Sequence, residues 1–165
     1  MGCASSLFTP YTKEETDAEL AKLLPVLPLG ELMAGGMIKV RGANGFFNPN
    51  SLLDPSWLKG NFTPTDYRDA INYINVQTAY TQIGLNKLCR PADLIIREQM
   101  RTAAGLAAVE ELNKRYTSVK FTYQATAETT QLNMSYTTDP TIQFMERRRP
   151  VIANVSVTLL YIAFQ

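Results

Sequence analysis

The sequence predicts an α+β fold, with two to three helices packed on an antiparallel sheet that ends in C-terminal strands. Three observations carry that expectation. Thr12 and Thr63 each open a stretch with helix-start chemistry, followed by apolar residues at helical spacing. A third, longer helical stretch follows Pro91. From Val119 onward the period drops to two, as half-buried strands require. The organisation that follows is a flexible acylated arm, residues 1–11, and a single α+β domain, residues 12–165.

The arm begins Met1-Gly2-Cys3-Ala4-Ser5-Ser6. This fits the N-myristoylation pattern, with Gly2 exposed after loss of Met1 and Ser6 at the required spacing. Cys3, beside the acceptor glycine, offers a thiol for a second acyl chain. Each buried CH₂ contributes ~0.8 kcal/mol, and a single myristoyl chain binds only reversibly, so two chains are what make residence stable. Gly2 and Cys3 are the expected lipidation sites, and no polybasic cluster follows them.

Thr12 and Glu15 form a capping-box pair, so a helix is expected over Lys13 to Leu24, ended by Pro25 and Pro28. Gly35-Gly36 releases the chain into a strand, Met37 to Arg41. Residues 42–63 hold Phe46, Phe47 and Trp57 among Gly, Asn and Pro. A loop of this length inside a compact domain is often functional. Its aromatics are read either as a partner-binding surface or as plugs for the core. Should they be buried, the small residues from Ala103 to Ala108 are the next partner surface. Thr63-Pro64-Thr65-Asp66 opens a second helix, with Tyr67, Ile71 and Ile74 as its apolar stripe and a run as far as Leu88. A third helix is expected from Asp93 to about Arg115, with a stripe of Leu94, Ile95, Leu106, Val109 and Leu112. Strands then alternate through Val119, Phe121, Tyr123 and through Leu132, Met134, Tyr136, with Ala127-Glu128-Thr129-Thr130 as the hairpin between them. A final strand covers Val151 to Phe164, giving an antiparallel meander.

Composition excludes several functions. The chain has 165 residues, 45% hydrophobic and 19% charged, enough for a real core. A net charge of +1 gives no reason to expect nucleic acid as a partner. No apolar run reaches the roughly 18–20 residues of a spanning helix. With no histidine, His-based triads and the commonest metal ligand are absent. Cys3 and Cys89 alone make neither a disulfide framework nor a structural zinc site. No catalytic residue, cofactor or metal is therefore expected. Cys89 is read as an acylation site, a nucleophile without an activating histidine, or an incidental thiol.

Two polar features remain. Asn72 and Asn75 share one face of a helix, where asparagine is a poor choice. Their expected role is to hydrogen-bond the Gly45 to Trp57 loop. Arg147-Arg148-Arg149 is the only dense basic run. It either contacts anionic headgroups, at about 1 kcal/mol per residue, or is a solvated cluster before the last strand.

The block Leu58-Lys-Gly60-Asn-Phe62-Thr-Pro64-Thr-Asp66-Tyr67, continued by Ile71-Asn72-Tyr-Ile74-Asn75, resembles a motif of the golgin subfamily A member seven and cysteine-rich hydrophobic-domain family. That family includes accessory subunits of DHHC palmitoyltransferases. Ile38-Lys-Val40-Arg-Gly42-Ala-Asn44 looks like its strand and G-x-N turn, and Thr138-Asp139-Pro140 with the following arginines and strand like its final segment. The resemblance spans residues 36–165 and marks Gly60, Pro64, Tyr67, Ile71, Asn72 and Asn75 as motif positions. Where the family carries a cysteine-rich apolar centre, this chain has Cys89 amid Arg90, Asp93, Arg97 and Glu98, so the N-terminal acylation motif takes that centre's place. The resemblance implies a membrane-peripheral, non-enzymatic protein with a protein partner. The expected function is a lipid-anchored adaptor or accessory subunit on the cytosolic face of a membrane. The alternative is a structural component of a membrane-associated or cytoskeletal assembly, tethered by the same acylated arm.

Overall fold

Three helices pack against one face of a four-stranded antiparallel sheet. The structure is a computed structural model that describes residues 10–85, 91–133 and 152–165, with the backbone alone for 91–94 and 153. Gly2, Cys3, Cys89 and Arg147 to Arg149 lie outside the described residues, as do Met134, Tyr136 and the Thr138-Asp139-Pro140 segment.

Helix α1 spans Lys13–Leu23 and begins on the expected capping box, in which the Glu15 amide donates to the Thr12 hydroxyl. Leu24–Val26 then tightens into a 3₁₀ turn around Pro25. Strand β1, Glu31–Leu32, pairs with β2, Ile38–Ala43, through the turn that contains Gly35-Gly36. Helix α2, Pro64–Tyr80, repeats the capping device with Thr63 and Asp66. It stops eight residues short of the expected Leu88. Residues 81–85 form turns instead, and Gly84 takes a positive φ of 84°. Helix α3 spans Pro91–Arg115. Lys13 and Tyr80 both bond Asp17, which ties α1 to α2 and pulls the carboxyl of Asp17 below its ordinary range.

Two strand expectations are corrected. Ala127 to Thr130 is not a hairpin: β3 runs unbroken from Val119 to Asn133. Ala-Glu-Thr-Thr lacks the Gly, Asn or Pro chemistry of a tight turn, and its threonines favour extended backbone. The irregularity there is a bulge. Ala125 pairs with Thr158 and Thr129 with Ser156, so β3 takes four steps where β4 takes two. Thr126 holds the bulge by donating its hydroxyl to the Val157 carbonyl at 2.7 Å. The sheet is also no simple meander. Strand β4, Ile152–Phe164, lies between β2 and β3, giving the order β1-β2-β4-β3.

The central position of β4 creates the core. Val40, Leu160 and Tyr123 lie abreast across three strands, as do Ile38, Ile162 and Phe121. All six are buried under the helices, whereas Lys120, Thr122 and Gln124 on the other face are exposed. The stripe Tyr67, Ile71 and Ile74 on α2 is buried against this face, as expected.

The stripe of α3 differs by a rotation. Val109 and Leu112 are buried, but Ile95 and Leu106 are 57% and 51% exposed. The inward line is Gly105, Ala108 and Leu112. A Cβ on Gly105 would come within 2.7 Å of the Tyr123 ring, so this small residue is what lets α3 lie flat on β3. The small-residue patch thus serves ordinary close packing on its inner side. Asn113 clasps the outer edge of β3 through both atoms of its amide, at 2.7 and 2.9 Å from the backbone of Phe121.

Candidate functional site

The resemblance motif builds a joint between α2 and the long loop. Pro64 begins α2, Gly60 is exposed, and Tyr67 and Ile71 are core. Asn75 meets the expectation for it. Its side chain accepts from the Phe47 amide at 2.8 Å and donates to the Phe47 carbonyl at 2.7 Å. Asn72 stays half-buried and takes no part in that clasp. Farther along the loop, Ser51 and Tyr67 share a 2.6 Å hydrogen bond, and the Asn48 amide donates to the Leu27 carbonyl. Burial raises the Tyr67 phenol to about 12, although the Ser51 bond works against that rise.

This stitching takes Phe46 and Phe47 out of the expected partner-binding surface and leaves Trp57 partly exposed. Phe47 is 0% exposed, Phe46 is buried, and Trp57 is half-buried against the main core in a 3₁₀ turn, Pro55–Leu58. Phe46 and Phe47 plug the core, and the Asn75 clasp fixes the backbone of Phe47 there.

A pocket lies elsewhere, between the N-terminal half of α3, the β3 bulge and the start of described β4. Its cavity is about 300 Å³. Asn44-Gly45 forms one wall. The two residues make a tight turn between Ala43 and Phe46, with positive φ at both, and Asn44 pairs with the Ser156 backbone in both directions. Arg97, Glu98 and Arg101 form the helical wall. Arg101 sits eleven residues before Leu112, about three turns, so it continues the buried line of α3 as a cation. One Arg101 amino group donates to Gln82 at 3.2 Å, and its guanidinium lies 5.5 Å from the Phe46 ring centroid. Arg97 donates to the Tyr11 hydroxyl and sits 5.3 Å from the centre of its ring.

The electrostatics of this pocket are unresolved within the protein. Among the described residues neither guanidinium makes an ion pair, and the Nε of both is buried without a hydrogen-bond partner. Burial lowers Arg101 to about 10, the like charge of Arg97 adds to that, and Glu19 and Glu98 oppose it. Glu98 accepts the Ser156 hydroxyl at 2.9 Å rather than pairing with either arginine. The hydroxyls of Tyr123 and Thr158, residues 6% and 4% exposed, also lack a partner of ordinary geometry. Burial raises the Tyr123 phenol to about 12.

No family model, curated protein or solved structure matches the chain. The sequence did carry a signal for the pocket. Arg97 and Arg101 fall on the upstream continuation of the Gly105–Ala108–Leu112 line, where a core helix should be apolar. Assigning Ile95 and Leu106 to the inner stripe hid it. The hydroxyls of Tyr123 and Thr158 were not legible, because their convergence depends on the register of β3 against β4.

Proposed function

We propose that the protein is a lipid-anchored, non-enzymatic adaptor or accessory subunit on the cytosolic face of a membrane. The reading is carried by the acceptor pattern Gly2-Cys3-Ala4-Ser5-Ser6. The placement of Tyr11 supports it. The Tyr11 amide donates to the Leu85 carbonyl, the Gly84 amide donates to the Tyr11 carbonyl, and Arg97 holds the side chain. The root of the arm is thus fixed to the turn after α2 and to α3. Gly2 and Tyr11 lie nine positions apart, a span of at most roughly 30 Å. An acyl chain on Gly2 would hold this end of the domain close to the bilayer. No described helix is long and apolar enough to cross a membrane.

With Phe46 and Phe47 buried, the outward side of α3 becomes the surface for the protein partner. Ile95, Ala103 and Leu106 are exposed there. A DHHC palmitoyltransferase is the partner class that the family resemblance implies. Capture of acylated wild type and Leu106→Glu from native membranes tests the adaptor reading. A polytopic membrane protein retained by wild type and lost by Leu106→Glu is the expected result. Recovery of a large scaffold by both proteins would favour the tethered structural component instead.

A further inference from the structure

We propose that the pocket between α3 and the β3 bulge binds a phosphorylated polyol, the chemistry shared by a soluble sugar phosphate and the head group of a phosphoinositide. Two guanidiniums on consecutive turns of α3 belong to the wall of the cavity, each with a buried Nε that has no hydrogen-bond partner, and neither is ion-paired with the Glu98 carboxylate beside them. Such a pair favours an anion that can take forked hydrogen bonds, and a phosphoryl group offers enough oxygens for both arginines. The Thr158 hydroxyl, which has no partner, and the Tyr123 hydroxyl, which meets Thr102 outside ordinary hydrogen-bond geometry, belong to residues more than nine-tenths buried on the sheet side of the same cavity. Buried polar atoms are normally paired. Four without an ordinary partner, all on residues around a single cavity, are what a ligand with several acceptors would satisfy together.

The body of the ligand follows from the rest of the wall. At about 300 Å³ the cavity exceeds the needs of a bare phosphate. Asn44, Thr102, Thr129 and Asn154 line it with amides and hydroxyls suited to the hydroxyls of a polyol. The Glu98 carboxylate opposes a second phosphate on its own side but accepts hydroxyl donors. A nucleobase is disfavoured, because the Tyr123 ring is covered by Gly105 and meets Phe47 edge-on at 6.0 Å. The site does not depend on acylation.

Calorimetric titration of the full, non-acylated chain with inositol trisphosphate, a hexose phosphate and inorganic phosphate tests the proposal. Flotation with phosphatidylcholine vesicles, with and without phosphatidylinositol bisphosphate, runs beside it. At least one phosphorylated polyol is expected to bind saturably and more tightly than inorganic phosphate. Arg101→Gln, Arg97→Gln and Tyr123→Phe should each weaken that binding roughly tenfold or more, as loss of one charge-assisted hydrogen bond does. Tyr123→Phe separates ligand contact from structural support. It removes a buried hydroxyl that has no partner of ordinary geometry, so without ligand its melting temperature should stay close to that of wild type while affinity falls. Should Arg101→Gln fail to fold, the other two variants decide. Vesicle recruitment competed by inositol trisphosphate identifies the head group as the source, and tight binding of the soluble probe without recruitment identifies a free metabolite. Absence of binding by every polyol phosphate, preference for inorganic phosphate, or binding that all three variants retain would overturn the proposal.

Discussion

At the scale of single residues, buried polar groups decide where the chain goes. Asn75 holds both backbone groups of Phe47, so the aromatic loop has one way to close over the core. Asn75→Leu keeps similar bulk but leaves a buried amide and carbonyl unpaired. It should destabilise the fold by ~3 kcal/mol, measured by urea unfolding, whereas Asn72→Leu should change stability by less than about 1 kcal/mol. The buried phenols weaken the fold at alkaline pH. Tyr123 titrates near 10.0 when unfolded and about 12 when folded. Below pH 10 it is neutral in both states. As pH rises from 10 toward 12 the unfolded chain loses that proton first, so the folded state loses ~2 kcal/mol from this group. Arg101, lowered by burial, acts in the opposite direction, but it is common to wild type and Tyr123→Phe. The stability of Tyr123→Phe relative to wild type should therefore grow between pH 10 and 12. A difference that is flat across that window would show that Tyr123 ionises as easily in the fold as outside it.

At the scale of elements, both sides of α3 follow from one rotation. The Leu112 line faces the sheet, and a face 80–180° away carries Ile95, Ala103 and Leu106, by the 100° step of an α-helix. Leu106→Glu should shift stability by no more than about 0.5 kcal/mol, while Ile71→Asp, on the buried stripe of α2, should cost more than about 4 kcal/mol and unfold the domain. Thermal melts of the two variants check this, and a cooperative, native-like melt of Ile71→Asp would remove α2 from the core. Helix starts were legible because Thr12 and Thr63 declare them through local hydrogen bonds. The α2 stripe was legible for the same reason of locality: spacing alone places it. The hairpin expected at Ala127 to Thr130 failed because polar residues in a long strand resemble a turn when only exposure is read. Strand order was beyond reach, since pairing of β2 with β4 joins residues more than a hundred positions apart. The candidate pocket inherits that non-locality. Its arginines come from one helix, but its hydroxyls and turn come from three distant segments.

At the scale of the whole molecule, a chain of net charge +1 folds into an α+β domain in which Tyr11 is fixed to the turn after α2 and to α3. Tyr11 is clasped by Arg97, and Arg97 also lines the pocket, so the arm and the candidate site share a side chain. The outward side of α3 is left available beside them. This arrangement suits a protein that is brought to a membrane and presents a surface there. The claim on which that depends is the acyl chain on Gly2. Metabolic labelling with an alkyne myristate analogue, followed by membrane flotation of wild type and Gly2→Ala, measures it directly. Wild type is expected to carry label and float with membranes, and Gly2→Ala to carry none and remain in the soluble fraction. An unlabelled wild type, or a Gly2→Ala protein that floats as well as wild type, would contradict the account.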